Sequence, residues 1–365
     1  MRVLMVSKAC IVGIYQRKLE AIAQHDVTLE VLVPPSWKDD RGEQKLERVY
    51  TDGYELRAIP IRFNGNFHLH HYPTIGKHIS TFKPDIVHID EEPYNVATWQ
   101  ALYHAKRVGA KSLFFSWQNI KRDYVPPFNW GEQWVFRNSD YGLMGTDDAG
   151  EVMRTKGYTG RQATIPQFGT DSDLFQPAPS RPERPFTIGF IARIVPEKGV
   201  DVLLRAVQQL QGDWRLRLVS GGSAIDEMKA LSQSLGIADR VEFVGQLPST
   251  ELPAEYHKID VLVLPSLTRP NWKEQFGRVL VEAMASGVPV IGSDSGAIPT
   301  VISDAGLITP EGDVVALKEA VQRVMGDTTL RTDLIARGRE RFLNYYTHDS
   351  IARDTVAVYL QMLEK

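Results

Sequence analysis

The feature that most constrains this chain is a repeated change of rhythm. Short apolar runs alternate with longer stretches whose apolar residues recur at helical spacing. The runs are VLMVS (3–7), LEVLV (29–33), DIVHI (85–89), SLFF (112–115), TIGFI (187–191), LRLVS (216–220), VEFVG (241–245), DVLVLP (260–265) and PVIGS (289–293). Most carry Val, Ile and Leu on both alternating positions, as strands buried on both faces do. Helical stretches at 94–108, 200–211, 225–235 and 277–286 lie between them. This βαβα order predicts parallel sheets covered by helices. At 365 residues the chain is too long for one ordinary domain. The rhythm restarts after FQPAPSRPERPF (175–186), whose prolines stiffen a connection. The expected fold is α/β: two doubly wound parallel-sheet domains, 1–176 and 177–345, facing a cleft. Each should hold ligand beyond the carboxyl ends of its strands.

Composition narrows the function. The chain is 43% hydrophobic and 24% charged, a globular composition, with a formal net charge of −3. That balance argues against a nucleic-acid partner. The single cysteine, Cys10, allows no intrachain disulfide. MRVLMVS reads as a strand and not as a signal peptide, and no run of 18 apolar residues occurs. A cytoplasmic protein is expected, with peripheral membrane contact left open and oligomeric state unreadable. The fingerprints GxGxxG and GxxxxGK[ST] are both absent.

The densest constellation is EQFGRVLVEAMASGVPVIGSDSGAIPTVI (274–302). A helix begins near Gly277, and a helix N-terminus offers unpaired N–H groups and partial positive charge to a phosphate. Glycine there lets the backbone approach closely. Glu274 stands just before the helix and Glu282 inside it. At roughly 1.5 Å per residue the two carboxylates could lie about 10 Å apart, comparable to the sugar-to-ribose span of a nucleoside diphosphate sugar. The plain alternative is an ordinary helix bearing two glutamates.

This block resembles the E-x7-E signature of the family 4 retaining glycosyltransferases, which have the GT-B fold of two Rossmann-like domains. ARIVPEKGVDVLLRAV (192–207) and the segment 218–266 are similar to that family's donor half, and TIPQFGTDSDLFQP (164–177) to the segment that precedes its linker. PDIVHIDEEPYNVATWQALYHAKRVGAK (84–111) resembles its N-domain more loosely. The resemblance implies transfer of a hexosyl unit from a nucleotide-sugar donor to a hydroxyl acceptor, with retention and without metal or other cofactor. It implies that Arg193 and Lys198 bind the diphosphate, where cations offset charge on the leaving group. Glu274 would contact the sugar and Glu282 the ribose. Phe276, Gly277, Arg278 and Val279 would add contacts, though Arg278 also reads as plain surface cover. Gly221 and Gly222 would face the nucleotide, a role compatible with a tight turn. Gly245 and Leu247 would lie near the base, and Gly13 in the first βα loop would face the phosphate. The C-terminal stretch 341–365 reads as one or two amphipathic helices, with Phe342, Tyr345, Ile351, Val356 and Leu360 giving an irregular apolar face, and the resemblance implies that the helix 346–365 returns to the N-terminal domain.

The N-terminal half departs from the pattern. LFFSWQNIKRDY (113–124) has Trp117, Gln118 and Asn119 where many members carry a histidine. An amide can hydrogen-bond a sugar hydroxyl but cannot act as a base near neutral pH. Asn119 is therefore a catalytic-site candidate, with Arg17, Glu91, Glu92, Trp117 and Gln118 as acceptor-side candidates. Arg17 and Lys18 read equally as a surface helix start, and Glu91 and Glu92 as carboxylates stabilised by a helix dipole. His68, His70, His71 and His78 lack the companions of a zinc site. Trp130, Trp134 and Trp272 offer stacking faces, though core packing is the commoner fate of tryptophan. The rival functions are a sugar-nucleotide epimerase and a non-catalytic sugar-nucleotide-binding protein.

Overall fold

The computed structural model describes residues 1–39, 42–179 and 183–364. The chain forms two compact units: Met1–Gly169 together with His348–Lys365, and Thr170–Thr347. The first unit runs β1 (Arg2–Val6), α1 (Arg17–Ala23), β2 (Thr28–Val33), a hairpin of β3 (Ser36–Asp39) and β4 (Gly42–Lys45), and β5 (Glu55–Ala58). It continues through α2 (Ile75–Phe82), β6 (Ile86–Ile89), α3 (Val96–Val108), β7 (Lys111–Ser116), α4 (Phe128–Asn138), β8 (Tyr141–Met144), α5 (Asp147–Thr155) and β9 (Arg161–Thr164). Seven of these strands form one parallel sheet in the order β5-β2-β1-β6-β7-β8-β9. Along β1, Val3 and Met5 enter one core and Leu4 and Val6 the other. That is the period-2 alternation of a strand covered on both faces.

The second unit runs β10 (Phe186–Ile191), α6 (Val200–Val207), β11 (Trp214–Val219), α7 (Ile225–Ser234), β12 (Val241–Gly245), α8 (Leu252–Tyr256) and β13 (Val261–Leu264). It then runs α9 (Arg278–Ala285), β14 (Val290–Ser293), α10 (Ile298–Ile302), β15 (Gly306–Thr309), α11 (Val314–Gly326) and α12 (Thr328–Tyr345). Its six strands are all parallel, in the order β12-β11-β10-β13-β14-β15. Phe175, on the proline-dense segment, is buried in this unit's core, edge-on to Tyr256. Pro177 packs on Gly287. Residues 180–182 of that segment lie outside the described residues.

The last helix, α13 (His348–Leu363), belongs to the first unit. Ile351, Ala352, Val356, Tyr359 and Met362 join the core that holds Val3 and Met5. The Tyr359 hydroxyl and His88 Nδ1 lie 2.6 Å apart, and burial drives the His88 pKa down to about 3, so this pair is a neutral core contact. The apolar face expected for the C-terminal stretch is corrected at two positions. Tyr345 and Leu360 are exposed, and α13 buries the neighbouring Tyr359 instead of Leu360.

Both sheets contain a place where neighbouring strands are left by the chain in opposite directions. In the first unit it lies between β1 and β6, and in the second between β10 and β13. Parallel sheets bind ligands in the crevice this creates beyond the carboxyl ends of the strands.

Candidate functional site

In the second unit the loop after β10 carries Arg193 and Lys198, and the loop after β13 carries Glu274. Lys198 Nζ donates to Glu274 Oε2 at 2.5 Å, and Ser266 Oγ donates to the same oxygen at 2.8 Å. The Lys198 ammonium also stands 5.1 Å from the Trp272 ring centroid. The Glu274 carbonyl accepts the Ala297 N–H at 3.1 Å. Gly296, at φ +52°, makes that approach possible, since a Cβ there would lie 2.1 Å from the carbonyl oxygen. Glu274 is thus fixed at both backbone and side chain.

Gly277 caps α9 at φ +75°, ψ 51°, without a side-chain hydrogen bond to the first turn. Phe276 is half-buried, edge-on to Tyr346 at 5.8 Å; Val279 is half-buried on the core, and Arg278 is exposed. Glu282 lies in the second turn of α9. It is buried and accepts the Tyr256 hydroxyl at 2.7 Å. Burial raises its pKa, offset in part by that hydroxyl and by the nearby Arg278.

Arg193 is exposed and makes no side-chain hydrogen bond or ion pair among the described residues. Its neighbour Ile194 lies on the turn after β11. The Ile194 N–H donates to the Gly221 carbonyl at 2.8 Å, and the Ile194 carbonyl accepts the Ala224 N–H at 3.0 Å. A Cβ on Gly222 would sit 2.1 Å from that carbonyl oxygen, so Gly222 is required by this packing. Gly245 faces open space, and a Cβ on Gly221 would meet only Gln246 Oε1, at 4.0 Å. Leu247 is half-buried against the core. The structure therefore brings Arg193, Lys198, Gly221, Gly222, Gly245, Glu274 and Gly277 to the carboxyl edge of one sheet. Ser266 and Tyr256 escaped the sequence reading; Ser266 stands two residues past a strand, where such groups gather.

The first unit has its own arrangement at the corresponding edge. Ser7 Oγ donates to Asp90 Oδ2 at 2.6 Å. Lys8 pairs with Glu91 through its ammonium and donates its backbone N–H to Glu91 Oε1 at 3.0 Å. Asn95 Nδ2 adds a bond at 3.2 Å, and His70 Nε2 stands 3.6 Å away. Burial would push Glu91 up, but Lys8 and His70 outweigh it and hold the carboxyl at about 2. Glu92 accepts the Trp117 N–H at 2.7 Å and Ser116 Oγ at 2.8 Å. Here burial prevails over those bonds and raises the carboxyl to about 7. Neither glutamate is a dipole-stabilised helix carboxylate, because α3 starts only at Val96, behind Asn95.

The other residues singled out in this unit are placed as follows. Gly13 does not present an open amide: its N–H donates to Glu47 Oε2 at 2.6 Å, and a Cβ would strike Val49 Cγ2 at 2.3 Å. Lys18 is buried, with its ammonium 5.0 Å from the Phe168 ring centroid, so it is not a surface residue. Arg17 lies over Tyr50 at 5.5 Å. Trp117 donates from Nε1 to Gln167 at 2.8 Å and packs on Gly145. The Gln118 amide accepts Lys156 Nζ at 2.8 Å and donates to the Tyr124 hydroxyl at 2.7 Å, so both its ends are committed. Asn119 is buried in the loop beyond. Beside Lys8 lies a cavity of about 580 Å³, walled by Tyr15, Trp37, Phe67, Glu43 and Gln44.

The histidines do not converge. His68 packs among Tyr94, Tyr124 and Phe128, while His78 approaches Glu30 at 3.6 Å. Among the described residues no group of three His, Cys, Asp or Glu is placed to hold a metal ion. No described helix is long and apolar enough to cross a membrane.

Comparison with known proteins follows this geometry. The two parallel-sheet units have the GT-B fold. Sucrose-phosphate synthase from Thermosynechococcus elongatus superposes with a TM-score of 0.70 over 99% of both chains, at 22% identity. Anabaena HepE, solved with UDP, gives 0.71 over 99% of this chain and 100% of that one, at 16% identity. Residues 171–341 match the family model described as glycosyl transferases group 1. In sequence, the chain is 32% identical over 201 residues to the GDP-mannose-dependent alpha-(1-6)-phosphatidylinositol monomannoside mannosyltransferase of Mycobacterium tuberculosis. That alignment covers 50% of this chain and 52% of the relative. The chain spans about half the length of the curated relatives it matches first.

Proposed function

We propose that this chain is a family 4 retaining glycosyltransferase that moves a hexosyl unit from a nucleoside diphosphate sugar to a hydroxyl acceptor. The observation that carries the reading is the Lys198–Glu274 pair at the strand crossover of the second sheet, beside the open N-terminus of α9. A diphosphate on that edge meets Lys198, the unpaired Arg193 guanidinium and the first-turn N–H groups of α9. These groups offset charge as the glycosidic bond breaks. Once Lys198 turns to phosphate, Glu274 is released to accept hydrogen bonds from sugar hydroxyls, while Ser266 keeps it oriented. Glu282 retains one oxygen for a ribose hydroxyl, the other being held by Tyr256. The departing phosphate takes the acceptor proton, so no general base is demanded of the first unit. This agrees with Gln118 and Asn119 standing where relatives carry histidine. The acceptor is assigned to the aromatic-walled cavity beside Lys8.

The test is a thermal-shift screen with UDP, GDP, ADP and their sugar conjugates, on wild type and Lys198→Ala. One nucleotide class should raise the melting temperature, and the variant should lose the effect. Absence of any shift at high ligand concentration would overturn the reading. With the donor class known, the anomeric configuration of the product reports on retention.

A further inference from the structure

Two of the most exposed large apolar side chains among the described residues lie five positions apart in sequence. Val125, 71% exposed, is on the loop leading into α4, and Trp130, 67% exposed, is on the first turn of that helix. The helix buries Glu132, Val135 and Phe136. Trp130 stands two residues from Glu132, about half a turn around, and so faces solvent. Below it, Gly131 sits against the Trp99 ring, which locks α4 to α3. Tyr103, one turn further along α3 from Trp99, is also exposed.

The charges on these elements are one-sided. Lys106, Arg107, Lys121, Arg122 and Arg137 are all exposed. Against them stand Asp123, exposed and 3.7 Å from Lys121, and Glu132, which is buried and bound to Lys156. A chain of net charge −3 thus carries Lys121 and Arg122 on the same loop as Val125, just ahead of Trp130. Protein-binding surfaces share the tryptophan, tyrosine and arginine, but they are depleted in lysine and in charge at their cores. Tryptophan and tyrosine flanked by lysine and arginine are instead the composition of a membrane–water boundary, where the rings sit at headgroup level and the cations meet acidic lipids.

We propose that this face of the first unit docks on the surface of an anionic lipid bilayer, with Trp130 and Val125 seated among the headgroups. The docking rests on the surface alone. Its consequence for substrate rests on the transferase reading: the loop follows β7, at the strand edge that also carries Glu91 and Glu92. An acceptor drawn from the same bilayer would reach that edge without leaving the interface.

The test is co-sedimentation with vesicles of phosphatidylglycerol and phosphatidylcholine, against phosphatidylcholine alone. Wild type should partition onto the anionic vesicles and leave them as salt is raised. Lys121→Glu with Arg122→Glu should lower the partition coefficient at least about 25-fold, each cation contributing about fivefold and the reversals adding repulsion. Val125→Ser with Trp130→Ser should also weaken partitioning, while leaving its salt dependence. Melting temperatures of both variants should match wild type, because the altered side chains are exposed. No partitioning of wild type at low salt, or equal partitioning of well-folded variants, would overturn the proposal. Nucleotide stabilisation of the same samples separates the two readings: its failure with vesicle binding intact would sink the transferase and leave the docking face standing.

Discussion

The crossovers of the two sheets are built alike and close differently. In each, a lysine after the first central strand pairs with a glutamate after the neighbouring strand, and its ammonium lies near a tryptophan ring: Trp37 at 5.6 Å from Lys8, Trp272 at 5.1 Å from Lys198. In the first unit Glu91 also takes the Lys8 backbone N–H and Asn95, with His70 close by, and its side chain is wholly buried. In the second, the edge beside the pair holds Arg193, which has no side-chain partner among the described residues, Gly221, and the N-terminus of α9, where Gly277 supplies no side-chain cap. One geometry therefore serves as a buried joint where Glu91 is held by several neighbours at once, and as a more exchangeable pair beside the exposed Arg193.

The comparison breaks first, and with the largest effect, at Lys8. Lys8→Ala leaves Glu91 buried without its main cation and should cost about 3–5 kcal/mol in denaturant unfolding. Replacing both partners, Lys8→Met with Glu91→Leu, should cost less than the single change, because no charge is stranded. Lys198→Ala should do the reverse: a small loss of stability, but a fall of about 10²–10³ in turnover on the cognate donor. If Lys198→Ala instead unfolds the protein and leaves turnover in the surviving fraction, the two pairs are the same kind of joint.

A middle-sized effect separates two adjacent residues. Glu92 has a folded-state pKa of about 7, above the ordinary glutamate value of about 4.3. Folding binds a proton between those values, so Glu92 costs stability as pH rises through that window. Glu92→Gln should gain on wild type from about pH 4 to pH 7, by roughly 3–4 kcal/mol in all, and then level off. Glu91, held at about 2, works with the opposite sign: its stabilisation is present above about pH 4.3 and fades as pH falls toward 2. Unfolding midpoints across pH measure both. The smallest effect is expected from Tyr256→Phe. It removes a buried bond to Glu282 and should cost about 1–2 kcal/mol of stability, with weaker nucleotide binding in the same thermal-shift screen.

The second unit was largely legible because its chemistry is local. VEFVG, ARIVPEKG and the 274–302 block each hold strand or turn residues and those expected to face a ligand within a few positions, and the structure draws them to one edge. The first unit was legible as a parallel sheet but not as a site. The Gly13 amide is covered by Glu47, 34 residues away, and the Gln118 amide is held by Lys156, 38 residues away. No local pattern carries such pairings. Short strands were missed for a related reason. Tyr141–Met144 reads YGLM and Arg161–Thr164 reads RQAT, too brief and too mixed to stand out until their neighbours align them. Leu360 was assigned to a buried face because its hydropathy suited that face; the packing of α13 chose Tyr359, whose hydroxyl has His88 to meet.

The return of α13 to the first unit makes everything from Thr170 to Thr347 an insertion. The ends of that insertion are side by side: Thr170 and Thr347 form a parallel bridge, and the Thr170 N–H donates to the Tyr346 carbonyl at 2.8 Å. In polymer terms, an excursion of that length presents itself to its host as a short closed loop, because its own fold has already brought its ends together. Selection can then lengthen, rewrite or exchange the whole excursion without reopening the chain closure of the surrounding unit. The matched family segment, 171–341, nearly coincides with this excursion. The two halves of one gene are thereby free to drift at different speeds.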